Sequence, residues 1–209
     1  MISRYRAIIL LVLCVPTASL SAASVPSLAE GHAGGQTVEL NQIRAVLTDS
    51  EHLEGRFHQE QRLPGVVEPL VSQGQFYFVR DRALLWQTQM PFASDVVFRS
   101  ERQRGQSAAQ RRMSKLLLDI FGANILDSSD FDHEVSGSNL DWRVLLTPQR
   151  KSISKHITEI ELQGGGRLQT TTLVFAEGRQ SHIEFTDVVA HLEMPEHFCQ
   201  SISELCESP

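Results

Sequence analysis

The side chains best suited to chemistry are few and scattered. Eight histidines occur, and none falls in an H-E-x-x-H or comparable ligand spacing. No G-x-S-x-G elbow is present, and Ser138 reads as part of a hairpin turn. Asp127, Asp130 and Asp132 cluster, but in a loop, where solvated turn residues account for them. Gly164–Gly166 lacks both the lysine and the strand-to-helix setting of a phosphate loop. No residue pattern supports catalysis, a metal or another cofactor, so the chain is read as non-enzymatic. Of the three cysteines, Cys14 sits in an apolar N-terminal run, leaving Cys199 and Cys206. In an oxidising compartment an even pair is most simply a disulfide. A helical spacing of seven would hold the two Cα atoms roughly 10 Å apart, beyond bridging distance, so the tail must fold back if they pair.

Charge narrows the partners. The chain carries 19 Lys+Arg against 25 Asp+Glu, a net charge of −6. Two of its arginines, Arg4 and Arg6, lie in the N-terminal targeting segment, so the remainder is more acidic still. That argues against nucleic acid or an anionic membrane surface as the main partner. Arg4 and Arg6, the apolar run 7–15 and the small residues 19–23 have the layout of a cleaved signal peptide spanning 1–23. The Ser-, Gly- and Ala-rich stretch 24–36 reads as a flexible leader. The rest, 37–209, is long enough for one domain.

The elements follow from periodicity. Leu40, Ile43, Val46 and Leu47 predict an amphipathic helix over 37–50. Leu53–Leu63 alternates as a strand, with Leu53, Gly55, Phe57 and Gln59 on one face. In 74–91, GQFYFVRDRALLWQTQMP, Phe76, Phe78 and Arg80 share one face of a strand. A turn at Asp81-Arg82 leads to a second strand with Leu84, Trp86 and Thr88 on one face. A short strand covers 95–100. Met113, Leu116, Leu117, Ile120 and Phe121 mark a second helix, stopped by Gly122. Five further strands follow: Phe131/His133/Val135, Leu140/Trp142/Val144/Leu146, then His156–Leu162, Leu168–Ala176 and Ser181–Leu192. The tail beyond Pro195 reads as irregular or weakly helical. Nine or ten antiparallel strands with short connections and two helices make a mainly β fold, a curved meander sheet with helices set against it.

The order of Phe57, Gln59, Gly74, Phe76, Arg80, Trp86 and Pro91 resembles the LolA family of periplasmic outer-membrane lipoprotein carriers. That family shows a helix, an F-x-Q strand and a G-x-F-x-x-x-R…W…P hairpin. Asp81 stands where a proline is usual, and FRSERQRGQSAAQ replaces a D-G-x-x-x-W/Y segment, so the likeness is to a divergent LolA-related branch. It implies an incomplete antiparallel β-barrel covered by helices. It also implies a periplasmic monomer carrying an acylated lipoprotein or a lipid. The partners implied are an inner-membrane donor complex and an outer-membrane acceptor. In such carriers the residue matching Arg80 is implicated in closing the cover and handing on the cargo.

Physics sets what a carrier needs. Each buried CH₂ contributes about 0.8 kcal/mol, so one long chain is worth on the order of 10 kcal/mol. The protein must match that cover and still let go. On this reading Phe57, Phe76, Phe78, Leu84, Trp86, Trp142 and Val144 line a lipid cavity, and Leu116, Leu117, Ile120 and Phe121 form its lid. Arg80 is the release switch, reaching carbonyls of the lid. The plainer alternatives are a filled core and an exposed strand-end arginine.

Overall fold

The computed structural model describes residues 38–101 and 107–199. The expected signal peptide 1–23, the leader 24–36 that follows it, and the Cys199–Cys206 pairing lie outside the described residues and side chains. Nine strands form a single antiparallel sheet: β1 His52–Arg62, β2 Leu70–Val79, β3 Ala83–Met90, β4 Ser94–Arg99, β5 Phe131–Ser138, β6 Asp141–Pro148, β7 Ile157–Gly164, β8 Leu168–Phe175 and β9 Gln180–His191. The helices are α1 Leu40–Leu47, α2 Ala108–Phe121, a 3-10 turn at Asn124–Asp127, α3 Lys151–Ser154 and α4 Glu196–Cys199.

The spatial order is β4-β3-β2-β1-β9-β8-β7-β6-β5. Two meanders, β1–β4 and β5–β9, are thus joined by the long β1–β9 pair. The sheet is curved and does not close. This order has a direct consequence. The chain leaves one edge at β4 and must re-enter at the opposite edge, β5. α2 and the 3-10 turn make that crossing, so α2 is carried over the inner face. The incomplete barrel under helices is therefore a result of connectivity as much as of hydrophobicity.

Alternation decides which side chains face inward. Phe57, Phe76, Phe78, Leu84, Trp86, Trp142, Val144, Leu146, Ile160, Leu162, Leu173, Ile183 and Phe185 form one buried cluster with Ile43 and Leu47 of α1 and Leu117, Leu118, Ile120 and Phe121 of α2. The hairpin pairs Phe76 with Trp86 and Phe78 with Leu84. Gly74 matters here. A Cβ at that position would lie 1.9 Å from the Gln87 carbonyl oxygen and 3.0 Å from the Phe57 ring. Its absence lets Phe57 lie across β2 and stack on Trp86, with ring centroids 3.9 Å apart.

The structure differs from the sequence expectations in two places, at Leu140 and at the aspartates of the 127–132 stretch. Strand β5 runs on through Ser138, so Leu140 falls in a two-residue turn and is 85% exposed, not aligned with Trp142. Asp127 and Asp130 are ion-paired to Arg44 and Arg150 at 2.6 and 2.7 Å, so they tie elements together. The tail beyond Pro195 includes a helical turn, α4, which covers the outer face of the hairpin. There Phe198 stacks on Tyr77 with centroids 3.9 Å apart, beside Val79 and Leu85. Both faces of the β2–β3 hairpin are consequently buried.

Candidate binding site

The candidate site is the space between α2 and the inner face of the sheet. At its centre Phe121 meets Phe76, Phe78 and Phe185, with centroid distances of 5.1, 5.5 and 5.2 Å. These spacings suit edge and offset aromatic contacts, each worth about 0.5–1.5 kcal/mol beyond area burial. The seven residues expected to line a cavity are all buried in this one cluster. They do not act alike. Trp86 and Phe76 border open space, whereas Trp142 packs over Gly164 and donates to the Gly165 carbonyl at 2.7 Å. Trp142 thereby fixes the β7–β8 turn. Of the four residues expected to form a lid, Leu117, Ile120 and Phe121 are buried and Leu116 is partly so.

Two apolar clefts remain under α2. One of about 40 Å³ lies at the C-terminal end of the helix, between Leu47, Leu53, Phe76, Phe121, Phe185 and Val188. The other, of about 200 Å³, lies under its N-terminal half, between Trp86, Phe98, Met113, Leu117, Leu173 and Ile183. Ligand pockets for small molecules span about 300–1,000 Å³. The larger cleft is thus short of a full pocket, and holding a long chain requires α2 to lift. A third hollow of about 400 Å³, between α2 and the β4 edge, is lined by charged and polar side chains such as Arg99, Arg111, Lys115 and Asp119.

Arg80 stands at the junction of both covering helices. Its Nη2 donates to the carbonyl oxygens of Leu47 at 3.1 Å and Ser50 at 2.6 Å, and its Nη1 donates to Gly122 at 3.2 Å. Leu47 ends α1, and Gly122 directly follows α2. These are the carbonyls a helix leaves without an intrahelical donor, at the negative end of its dipole. One guanidinium therefore ties both C-termini to the tip of the hairpin. Its Nε is buried without a partner. Next to it Asn124 donates to Asp81 at 3.2 Å, a second link from the crossing segment to the hairpin turn.

Sequence reasoning missed Phe185, Leu118 and the mouth of the larger cleft. Phe185 sits in a strand that alternates Ile183, Phe185, and that alternation was the available signal. The mouth gathers Gln59, Gln61, Ser181 and Arg179 from separate strands and a turn. Among the described residues no group of three His, Cys, Asp or Glu side chains is placed to hold a metal.

No family model matches the chain, and no curated protein matches it. Among solved structures it is similar to a LolA superfamily protein from Nitrosomonas europaea, at 10% identity and a TM-score of 0.44, over 76% of this chain and 94% of that one. It is also similar to MucB, at 16% identity and a TM-score of 0.46, over 76% of this chain and 60% of that one. The MucA/MucB complex of Pseudomonas aeruginosa matches at 16% identity and a TM-score of 0.44, over 76% of this chain and 58% of that one.

Proposed function

We propose that this protein is a non-catalytic carrier that shields an acyl chain between α2 and the inner face of the sheet. On this reading residues 1–23 export it to the periplasm, where a lipoprotein or lipid is received from a donor complex and delivered toward an outer-membrane acceptor. The observation that carries the reading is the Arg80 junction. An apolar, aromatic interior is closed by two helices, and the C-termini of both are held to the hairpin by hydrogen bonds from Arg80 to carbonyl oxygens. Such bonds contribute modestly in water and can be exchanged for solvent. A closure of this kind holds while the interior is satisfied and yields when cargo displaces the helix, which is the behaviour a carrier needs.

A second reading is a protein-interaction module on the same fold. One observation favours it: the inner face is already filled by side chains, and apolar residues are exposed instead at one corner, including Leu70, Val71, Met90 and Phe92. Mass spectrometry of molecules that co-purify with the exported protein, after denaturing extraction, separates the readings. Acylated peptides or free lipids support the carrier and identify its cargo. An empty protein that also fails to bind an apolar fluorescent probe overturns it in favour of the module.

A further inference from the structure

We propose that the larger cleft takes a single apolar chain ending in an oxyanion, a carboxylate or a phosphate, and that Arg179 holds that head group. The inference rests on the carrier reading and names the ligand class of its site. It starts from a gradient along the inner face. On β1 the inward residues run Phe57, Gln59, Gln61, from apolar to amide. On β9 they run Phe185, Ile183, Ser181 toward the same end, and Gln61 lies opposite Ser181. Gln59 donates to Ser181 at 2.8 Å and accepts from Ser72 at 3.2 Å, so this end is an organised polar rim.

Arg179 completes the rim. The β8–β9 turn closes with Gly178 at a φ of +83° and the Phe175 amide donating to the Arg179 carbonyl at 2.8 Å. That places the guanidinium carbon 3.6 Å from the centre of the Phe175 ring, which is itself a wall of the cleft. Stacking fixes the plane of the guanidinium and keeps it from swinging into solvent. Its Nε faces the Glu177 carboxylate at 3.3 Å. That pair is solvent-exposed and weak, and it leaves the two terminal nitrogens for another acceptor. A planar fork at the mouth of an apolar cleft is matched in shape and charge to a carboxylate or phosphate. The acylated end of a lipoprotein has no such charge beside its chains.

The test uses the full mature chain and a neutral apolar fluorophore displaced by three ligands of one chain length: decanoate, decyl phosphate and decanol. Wild-type protein is expected to bind at least one of the two anions about tenfold more tightly than decanol, the effect of a charge-assisted hydrogen bond. Arg179→Gln should abolish that preference, bringing both anions to the affinity of decanol in the same variant. Arg179→Lys should retain part of it, and Glu177→Gln should strengthen it. The better of the two anions identifies the head group. Equal affinity for all three ligands, or an anion preference that survives in Arg179→Gln, overturns the proposal while the carrier reading stands on decanol binding. Failure of every ligand to displace the fluorophore overturns both.

Discussion

The two ends of α2 meet the same sheet in different ways. At the C-terminal end Phe121 is enclosed by Phe76, Phe78 and Phe185, only about 40 Å³ is left open, and Arg80 fastens the backbone. Toward the N-terminal end Met113 and Leu117 border a cleft of about 200 Å³ with a polar rim. One helix thus has a packed, latched end and a loose end. A uniformly packed cover would resist opening everywhere, and a uniformly loose one would not hold. Unequal packing lets one end act as the hinge while the other admits a ligand, on the account proposed above.

Substitutions at the two ends should expose that contrast, from the largest effect to the smallest. Phe121→Ala removes the centre of the aromatic cluster and should cost about 3–5 kcal/mol in denaturant unfolding. Leu117→Ala, facing existing open space, should cost less, about 2 kcal/mol, and should raise affinity for an apolar probe. Equal losses at the two positions would remove the packing contrast. Arg80→Leu should cost about 2 kcal/mol and speed hydrogen exchange in the last turns of α1 and α2, leaving the strands protected. Unchanged exchange there would show that the arginine does not hold the helices. Smaller still, Thr171→Val should stabilise by about 1 kcal/mol. Thr171 is 1% exposed, and its hydroxyl lacks a hydrogen-bond partner among the described residues.

The smallest expected effect lies on the outer face and serves as a control. Burial holds His52 below its ordinary value of 6.5, against the opposing pull of Glu51. It accepts from or donates to the Tyr77 hydroxyl at 3.1 Å. Because the folded value is lowered, the unfolded chain binds more protons as pH falls below about 6.5, and stability is lost on acidification toward the folded value. His52→Gln should flatten the stability slope between about pH 5 and 7. It should leave probe binding under α2 unaltered, since the outer face is not part of the cleft.

Much of this contrast follows from local pattern, and the rest does not. The i, i+3, i+4 spacing from Met113 to Phe121 marks α2 and its buried side, because a helix face is written in adjacent turns. The alternation in 74–91 marks the hairpin for the same reason. Arg80 is legible as an arginine ending an apolar face, which must find acceptors. The partners it meets, Leu47, Ser50 and Gly122, come from opposite sides of the hairpin in sequence and depend on where the crossing helix lands. Phe198 over Tyr77 has no local signature at all, since it pairs positions 121 residues apart across the outer face. The rim is similar. Gln59 shares the Phe57 face in the sequence, but only the β1–β9 register sets Ser181 beside it and Gln61, and only the β8–β9 turn supplies Arg179.

The most direct test of the account is photo-crosslinking with a fatty acid carrying a diazirine on its chain, followed by peptide mapping. Labels are expected on inward residues around the larger cleft, among them Trp86, Met113, Leu117 and Leu173, and an excess of unlabelled fatty acid should remove them. Labels confined to the exposed corner at Leu70, Met90 and Phe92, or to the outer face near Tyr77, would contradict it.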